Sequence, residues 1–103
     1  MSNMNKIKIQ KQKDFTVVDN HILKDKRVSL KARGLYITVM GLSDDWELSL
    51  SGLEKILKEG KDAIRSAMRE LILQRYVLRE PYRDPDTGRL HGVTYTFYER
   101  PPK

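Results

Sequence analysis

Basic side chains that could bind a polyanion recur at helical spacing in the second half of the chain. Arg65 and Arg69 are four residues apart, so they project from one face of a helix. An arginine can donate two hydrogen bonds to the O6/N7 edge of guanine. Lys61 and Ser66 lie on the same segment and could reach bases or phosphates. This pattern predicts contact with DNA, and the alternative is a solvated helix face.

The net charge of +6 is concentrated in two stretches of the 103 residues. Residues 61–79 carry five bases and two acids, whereas residues 1–13 carry four lysines and no acid. A local excess of positive charge is typical of a protein that binds a polyanion. For residues 1–13 we expect a flexible basic tail, whose lysines either attract DNA or simply aid solubility: Lys6, Lys8, Lys11 and Lys13.

Several function classes are disfavoured by composition. The chain has no cysteine, which excludes a disulfide scaffold, a cysteine-ligated zinc site and a cysteine nucleophile. Its two histidines, His21 and His91, have no ligand-like partner one helical turn away, and no glycine-rich phosphate loop occurs. We therefore expect no enzyme, no metal and no cofactor. Because no apolar run approaches a membrane span and no signal peptide is evident, we expect a cytoplasmic protein without membrane contact.

Three helices are predicted from apolar periodicity. Ser29 is a good N-cap for a first helix that ends near Leu42. A second helix begins at Ser49 or Ser51 and stops at Gly60, in a short turn typical of a helix-turn-helix. The third helix runs from residue 61 or 62 to 74, and its apolar face has the clearest periodicity in the chain: Ile64, Ala67, Met68, Leu71 and Ile72.

Strands are predicted on both sides of these helices. Residues 15–18 are β-prone and predict a short N-terminal strand that ends at Asp19. Residues 76–82 and 93–98 predict a long hairpin, with a turn at residues 84–88 in which Gly88 adopts the left-handed conformation. The hairpin tip is basic and is expected to contact phosphates or the minor groove through Arg83, Arg89 and His91.

The order strand, helix, helix, short turn, helix, hairpin is that of an α+β winged helix-turn-helix. In that fold the third helix enters the major groove and the hairpin forms the wing. We expect one such domain over residues 14–100, with residues 101–103 beginning a linker because two prolines occur there.

A family resemblance covers about residues 15–100. It is carried by Val28–Ser–Leu–Lys–Ala–Arg–Gly–Leu–Tyr36, Asp44–Asp–Trp46, Leu48–Ser49, Gly60 to Leu71, and Tyr76–Val–Leu–Arg79. These runs resemble the N-terminal winged-helix domain of DnaD-like replication initiation proteins of low-GC Gram-positive bacteria, their phages and plasmids. The resemblance implies a role in DNA replication, self-association, contact with other replication proteins, and a second domain beyond Lys103.

One residue departs from the family pattern. Such domains usually have glycine before the aromatic residue that opens the wing, but this chain has Arg75 before Tyr76. Glycine adopts a left-handed helix end without steric cost, so Arg75 must either accept strain or end the helix differently.

Two other functions remain open from the sequence. One is a module for protein interaction or oligomerisation, in which hairpin tyrosines form the centre of an interface: Tyr82, Tyr95 and Tyr98. The other is a winged-helix transcriptional regulator.

Overall fold

The computed structural model describes residues 8, 14–42 and 50–102. These residues form a small α+β unit, as predicted. It consists of α1 (Asn20–Lys24), α2 (Leu30–Met40), α3 (Leu50–Ile56), α4 (Lys61–Leu73), β1 (Val77–Arg83) and β2 (Leu90–Phe97). The predicted tail at residues 1–13, except Lys8, and the segment 43–49 with its Asp-Asp-Trp turn and Ser49 cap lie outside the described residues.

The N-terminal part of the fold differs from the sequence prediction. Residues 15–18 form no strand and belong to no sheet in the described structure, so the predicted N-terminal strand is wrong. Asp19, which was expected to end that strand, instead caps α1, because its carboxylate accepts a hydrogen bond from the backbone N–H of His21 at 2.7 Å. The described residues therefore contain one helix more than the three predicted, and the sheet has only the two hairpin strands.

Helix α2 begins where predicted and is attached to α4 at that end. The Ser29 hydroxyl accepts a hydrogen bond from the N–H of Ala32 at 3.1 Å, as an N-cap does. The Glu70 carboxylate on α4 accepts hydrogen bonds from the Ser29 backbone N–H and from its hydroxyl, the latter at 2.8 Å. These bonds fix the first turn of α2 beside α4.

The hydrophobic core is built on the periodic face of α4. Ile64, Ala67, Met68 and Leu71 are all buried, as their spacing predicted. Among the described residues, Tyr36 and Tyr76 are the largest fully buried side chains, and their rings pack edge to face with centroids 5.9 Å apart. The remaining core residues come from the first part of the chain, α3 and β1: Ile22, Val28, Ala32, Leu35, Leu53 and Val77.

Helix α4 ends with a left-handed arginine. Arg75 has φ +69°, its N–H bonds to the carbonyl of Ile72, and the N–H of Tyr76 bonds to the carbonyl of Leu71, both at 3.0 Å. This is the hydrogen-bond pattern of a Schellman motif, which usually has glycine at the left-handed position. Arg75 thus accepts the strained conformation rather than ending the helix in another way.

The hairpin follows α4 after three residues, 74–76, and is irregular near its tip. Val77 pairs with Phe97 and Pro81 with Val93, but Arg83 pairs with Leu90, so β2 contains one extra residue. Gly92, at φ +80°, lies within this bulge. Gly88 is left-handed at the turn, as predicted, and its N–H donates to the carbonyl of Asp84 at 2.8 Å.

Candidate nucleic-acid interface

The exposed face of α4 carries three cations that the sequence singled out. Lys61, Arg65 and Arg69 are all exposed. Within residues 14–42 and 50–102, none of the three has a side-chain hydrogen bond or an ion pair. Because Arg65 and Arg69 are one turn apart, their like charges repel mildly, and nothing in the described fold offsets that repulsion.

The nearest acids on α4 leave these arginines unpaired. Asp62 is in the first turn, where the helix dipole favours a negative charge, and it forms no ion pair in the described part of the chain. Glu70 is used elsewhere, because both of its carboxylate oxygens accept hydrogen bonds from Ser29 on α2. Both guanidinium groups are therefore available to an anionic ligand.

Ser66 lies on the same exposed face but already has a partner. Its hydroxyl oxygen accepts a hydrogen bond from the ammonium group of Lys31 on α2, at 3.1 Å. Sequence reasoning did not single out Lys31. The two residues are 35 positions apart, and no local pattern of residue types signals a contact at that separation.

The hairpin tip brings two of its predicted residues together. The Arg83 guanidinium donates to the carbonyl of Gly88 and so braces the turn. The backbone carbonyl of Arg89 closes the same turn by accepting from Asp84, and the exposed Arg89 side chain has no partner in the described structure. His91 belongs to β2, and its side chain lies outside the described residues.

A hydrogen-bond network fixes the hairpin at its base. The buried Tyr76 hydroxyl donates to a carboxylate oxygen of Asp25 at 2.8 Å and lies 2.7 Å from Nδ1 of His21. Since the tyrosine proton goes to Asp25, the His21 ring is the donor to the hydroxyl oxygen. At the other strand, the Tyr36 hydroxyl donates to the carbonyl of Tyr98 at 2.7 Å.

Electrostatics reinforce this network. The Arg27 guanidinium donates two hydrogen bonds of 2.9 Å to Asp25 and holds the pKa of that carboxyl well below its usual range. Burial, followed by the hydrogen bond to Asp25, raises the pKa of Tyr76 above its usual value. The residues between α4 and the hairpin are therefore tied to the α1–α2 connection through the Asp25 carboxylate and the Tyr76 hydroxyl.

The three hairpin tyrosines do not form one exposed surface. Tyr95 packs partly buried against the core, and Tyr98 is half-buried. Only Tyr82 is exposed, at 45%. The three tyrosines therefore differ in exposure, and the protein-interaction function stays a prediction.

The described residues contain no group of three or more histidine or acidic side chains that could hold a metal ion. No helix among them is both long and apolar enough to cross a membrane. Comparison of the chain with protein-family models, with curated proteins and with solved structures gives no match.

Proposed function

We propose that this chain is a winged-helix DNA-binding domain that contacts duplex DNA through α4 and the hairpin wing. The observation that carries the proposal is the exposed Arg65–Arg69 pair, which has no acidic partner in the described residues. Arginines four apart on one helix face can reach base edges or phosphates along the major groove.

The arrangement of the neighbouring elements supports this proposal. Helices α3 and α4 are joined by a short segment that ends at Gly60, which gives the order of a helix-turn-helix unit. The hairpin begins directly after α4 and carries Arg83 and Arg89 at its tip. In a winged helix, this order allows the helix and the wing to contact one duplex together.

We assign the process as DNA replication initiation, in a phage, plasmid or bacterial system. This assignment rests on the resemblance of residues 28–36 and 76–79 to the N-terminal domain of DnaD-like proteins.

Fluorescence anisotropy of a labelled random duplex, titrated with the chain across a salt series, tests the DNA proposal. We expect a Kd of about 10⁻⁴–10⁻⁶ M near physiological salt, as is usual for non-specific binding. The double variant Arg65→Ala/Arg69→Ala should lower the salt slope by about 2 if both side chains contact phosphates. Lys24→Ala/Lys26→Ala removes two exposed cations that belong to neither α4 nor the hairpin and serves as the charge-matched control.

Equal loss of binding in the two variants would contradict a role for α4. Absence of binding by the folded chain at low salt would contradict the DNA proposal as a whole.

A second candidate function is self-association, favoured by the N-terminal segment. Phe15 and Val17 are 77% and 80% exposed, on a segment that pairs with no strand in the described structure. Leu30 is 83% exposed at the rim of a groove of about 240 Å³ between α2 and α4. Large apolar side chains exposed in this way are typical of interaction surfaces.

Sedimentation velocity over a concentration series tests this candidate. If it is correct, the chain forms dimers or larger species, and Phe15→Ser/Val17→Ser returns it to the monomer. A monomer at all concentrations would remove this candidate without affecting the DNA proposal.

A further inference from the structure

We propose that Lys31 of α2 is an additional phosphate-binding residue of the DNA interface, and that Ser66 positions it instead of contacting a base. The proposal rests on the proposed DNA-binding function and assigns roles to two residues of that site. It depends on the contact between α2 and α4.

Two contacts place the first turn of α2 along α4. Ser66 and Glu70 are one turn apart on α4, so both lie on the side that faces α2. Glu70 accepts hydrogen bonds from Ser29, and Ser66 accepts one from Lys31. The Lys31 ammonium is therefore held beside the helix face that carries Arg65 and Arg69.

The charge of Lys31 is not neutralised in the described fold. The side chain is exposed and has no ion pair there, and its partner Ser66 is a neutral hydroxyl. An ammonium group has three donors, of which Ser66 uses one, so two remain for a phosphate. Lys31 also lies in the first turn of α2, where the helix dipole adds positive potential.

Ser66 acts on DNA through Lys31 in this arrangement. A lysine side chain is long and flexible, and fixing it on binding costs conformational entropy. The hydrogen bond from Lys31 to Ser66 restrains the ammonium before DNA arrives, which reduces that cost.

A double-mutant cycle in the anisotropy assay tests both assignments, with Lys31→Ala, Ser66→Ala, the double variant and Lys24→Ala as the control for charge. One phosphate contact contributes about 0.9 to the slope of log K against log salt concentration. Lys31→Ala should therefore lower the slope by about 0.9 and weaken binding about eightfold at 0.1 M salt. Ser66→Ala should weaken binding less, and it should have no further effect once Lys31 is alanine. Lys31→Arg should retain the salt slope.

The outcomes separate this proposal from the one on which it rests. If Arg65→Ala/Arg69→Ala weakens binding but Lys31→Ala behaves like Lys24→Ala, the role of Lys31 is refuted and DNA binding through α4 stands. If Ser66→Ala and Lys31→Ala are additive, Ser66 contacts DNA itself and its positioning role is refuted. No binding by the unaltered chain refutes both proposals. Thermal unfolding of each variant confirms that the comparison is between folded proteins.

Discussion

Replacing Arg75 by glycine should stabilise the protein. Arg75 has φ +69°, and a left-handed residue other than glycine costs about 1–2 kcal/mol. Glycine removes this cost but adds freedom to the unfolded chain, which costs about 0.5–1 kcal/mol. The Arg75 side chain is exposed and has no partner in the described residues, so the substitution sacrifices no contact. The net gain in the free energy of unfolding is about 0.5–1 kcal/mol.

Thermal unfolding followed by circular dichroism measures this gain. For a domain of this size, about 0.5–1 kcal/mol raises Tm by about 3–6 °C. Gln74→Gly is the matched control, because it adds the same flexibility one residue earlier, where φ is −88°. The control should lower Tm. If Arg75→Gly lowers Tm as much as Gln74→Gly does, the argument from left-handed strain is refuted.

Three further stability predictions follow from hydrogen bonds and backbone angles. The pKa of Asp25 is lowered in the folded state, so the stabilisation by its carboxylate is present above the unfolded pKa of about 4 and is lost as pH falls through the folded value. Asp25→Asn should lower the free energy of unfolding by about 2 kcal/mol at pH 7, as measured by urea unfolding. The difference between the two proteins should narrow below pH 4, and a difference independent of pH would contradict this prediction. Glu70→Ala should lower the free energy of unfolding by about 1–2 kcal/mol in the same assay, because it removes the hydrogen bonds to Ser29. Ser29→Ala should then cost less in the Glu70→Ala protein than in the unaltered chain. Strict additivity of the two changes would show that the residues are not coupled. Gly34→Ala should raise Tm, because Gly34 lies in a helix and has open space where a Cβ would be added. Gly92→Ala should lower Tm, because Gly92 has φ +80°, which alanine adopts only with strain. A shift of Tm in the same direction for both variants would refute this reasoning.

Helix α4 could be predicted almost to the residue, and the reason is physical. The apolar side chains at positions 64, 67, 68, 71 and 72 recur at helical spacing and pack in one core, so local pattern and tertiary packing agree there. The exposure of Arg65 and Arg69 follows from the same periodicity, since they lie opposite the buried face. The predicted end at Gln74 differs by one residue from the observed end at Leu73.

In two other segments, the secondary structure favoured by the local sequence differs from the observed one. Residues 15–18 have high strand propensity, but a strand requires a partner edge, and none is paired with them in the described structure. Strand β2 begins at Leu90 and not at residue 93, because the bulge at Gly92 lets pairing continue past an irregular residue. A strand predicted from the alternation of apolar and polar residues ends at such a bulge, because the alternation is interrupted there.

The contacts that complete the candidate site could not be predicted from sequence. The Lys31–Ser66 bond joins residues 35 positions apart, and the Ser29–Glu70 bonds join residues 41 positions apart. Each pair depends on how α2 packs against α4, which periodicity alone does not specify. Sequence therefore predicts which face of α4 is basic, whereas the fold decides which neighbouring side chains share that face.

Amide chemical-shift mapping tests the central claim most directly. The ¹⁵N-labelled chain is titrated at low salt with a short random duplex, and shifts are assigned to residues. The account predicts the largest changes along α4 at residues 61–69 and at the wing tip at residues 83–89. Largest changes at residues 15–18, or no change at duplex concentrations well above 10⁻⁴ M, would contradict DNA binding through α4 and the wing.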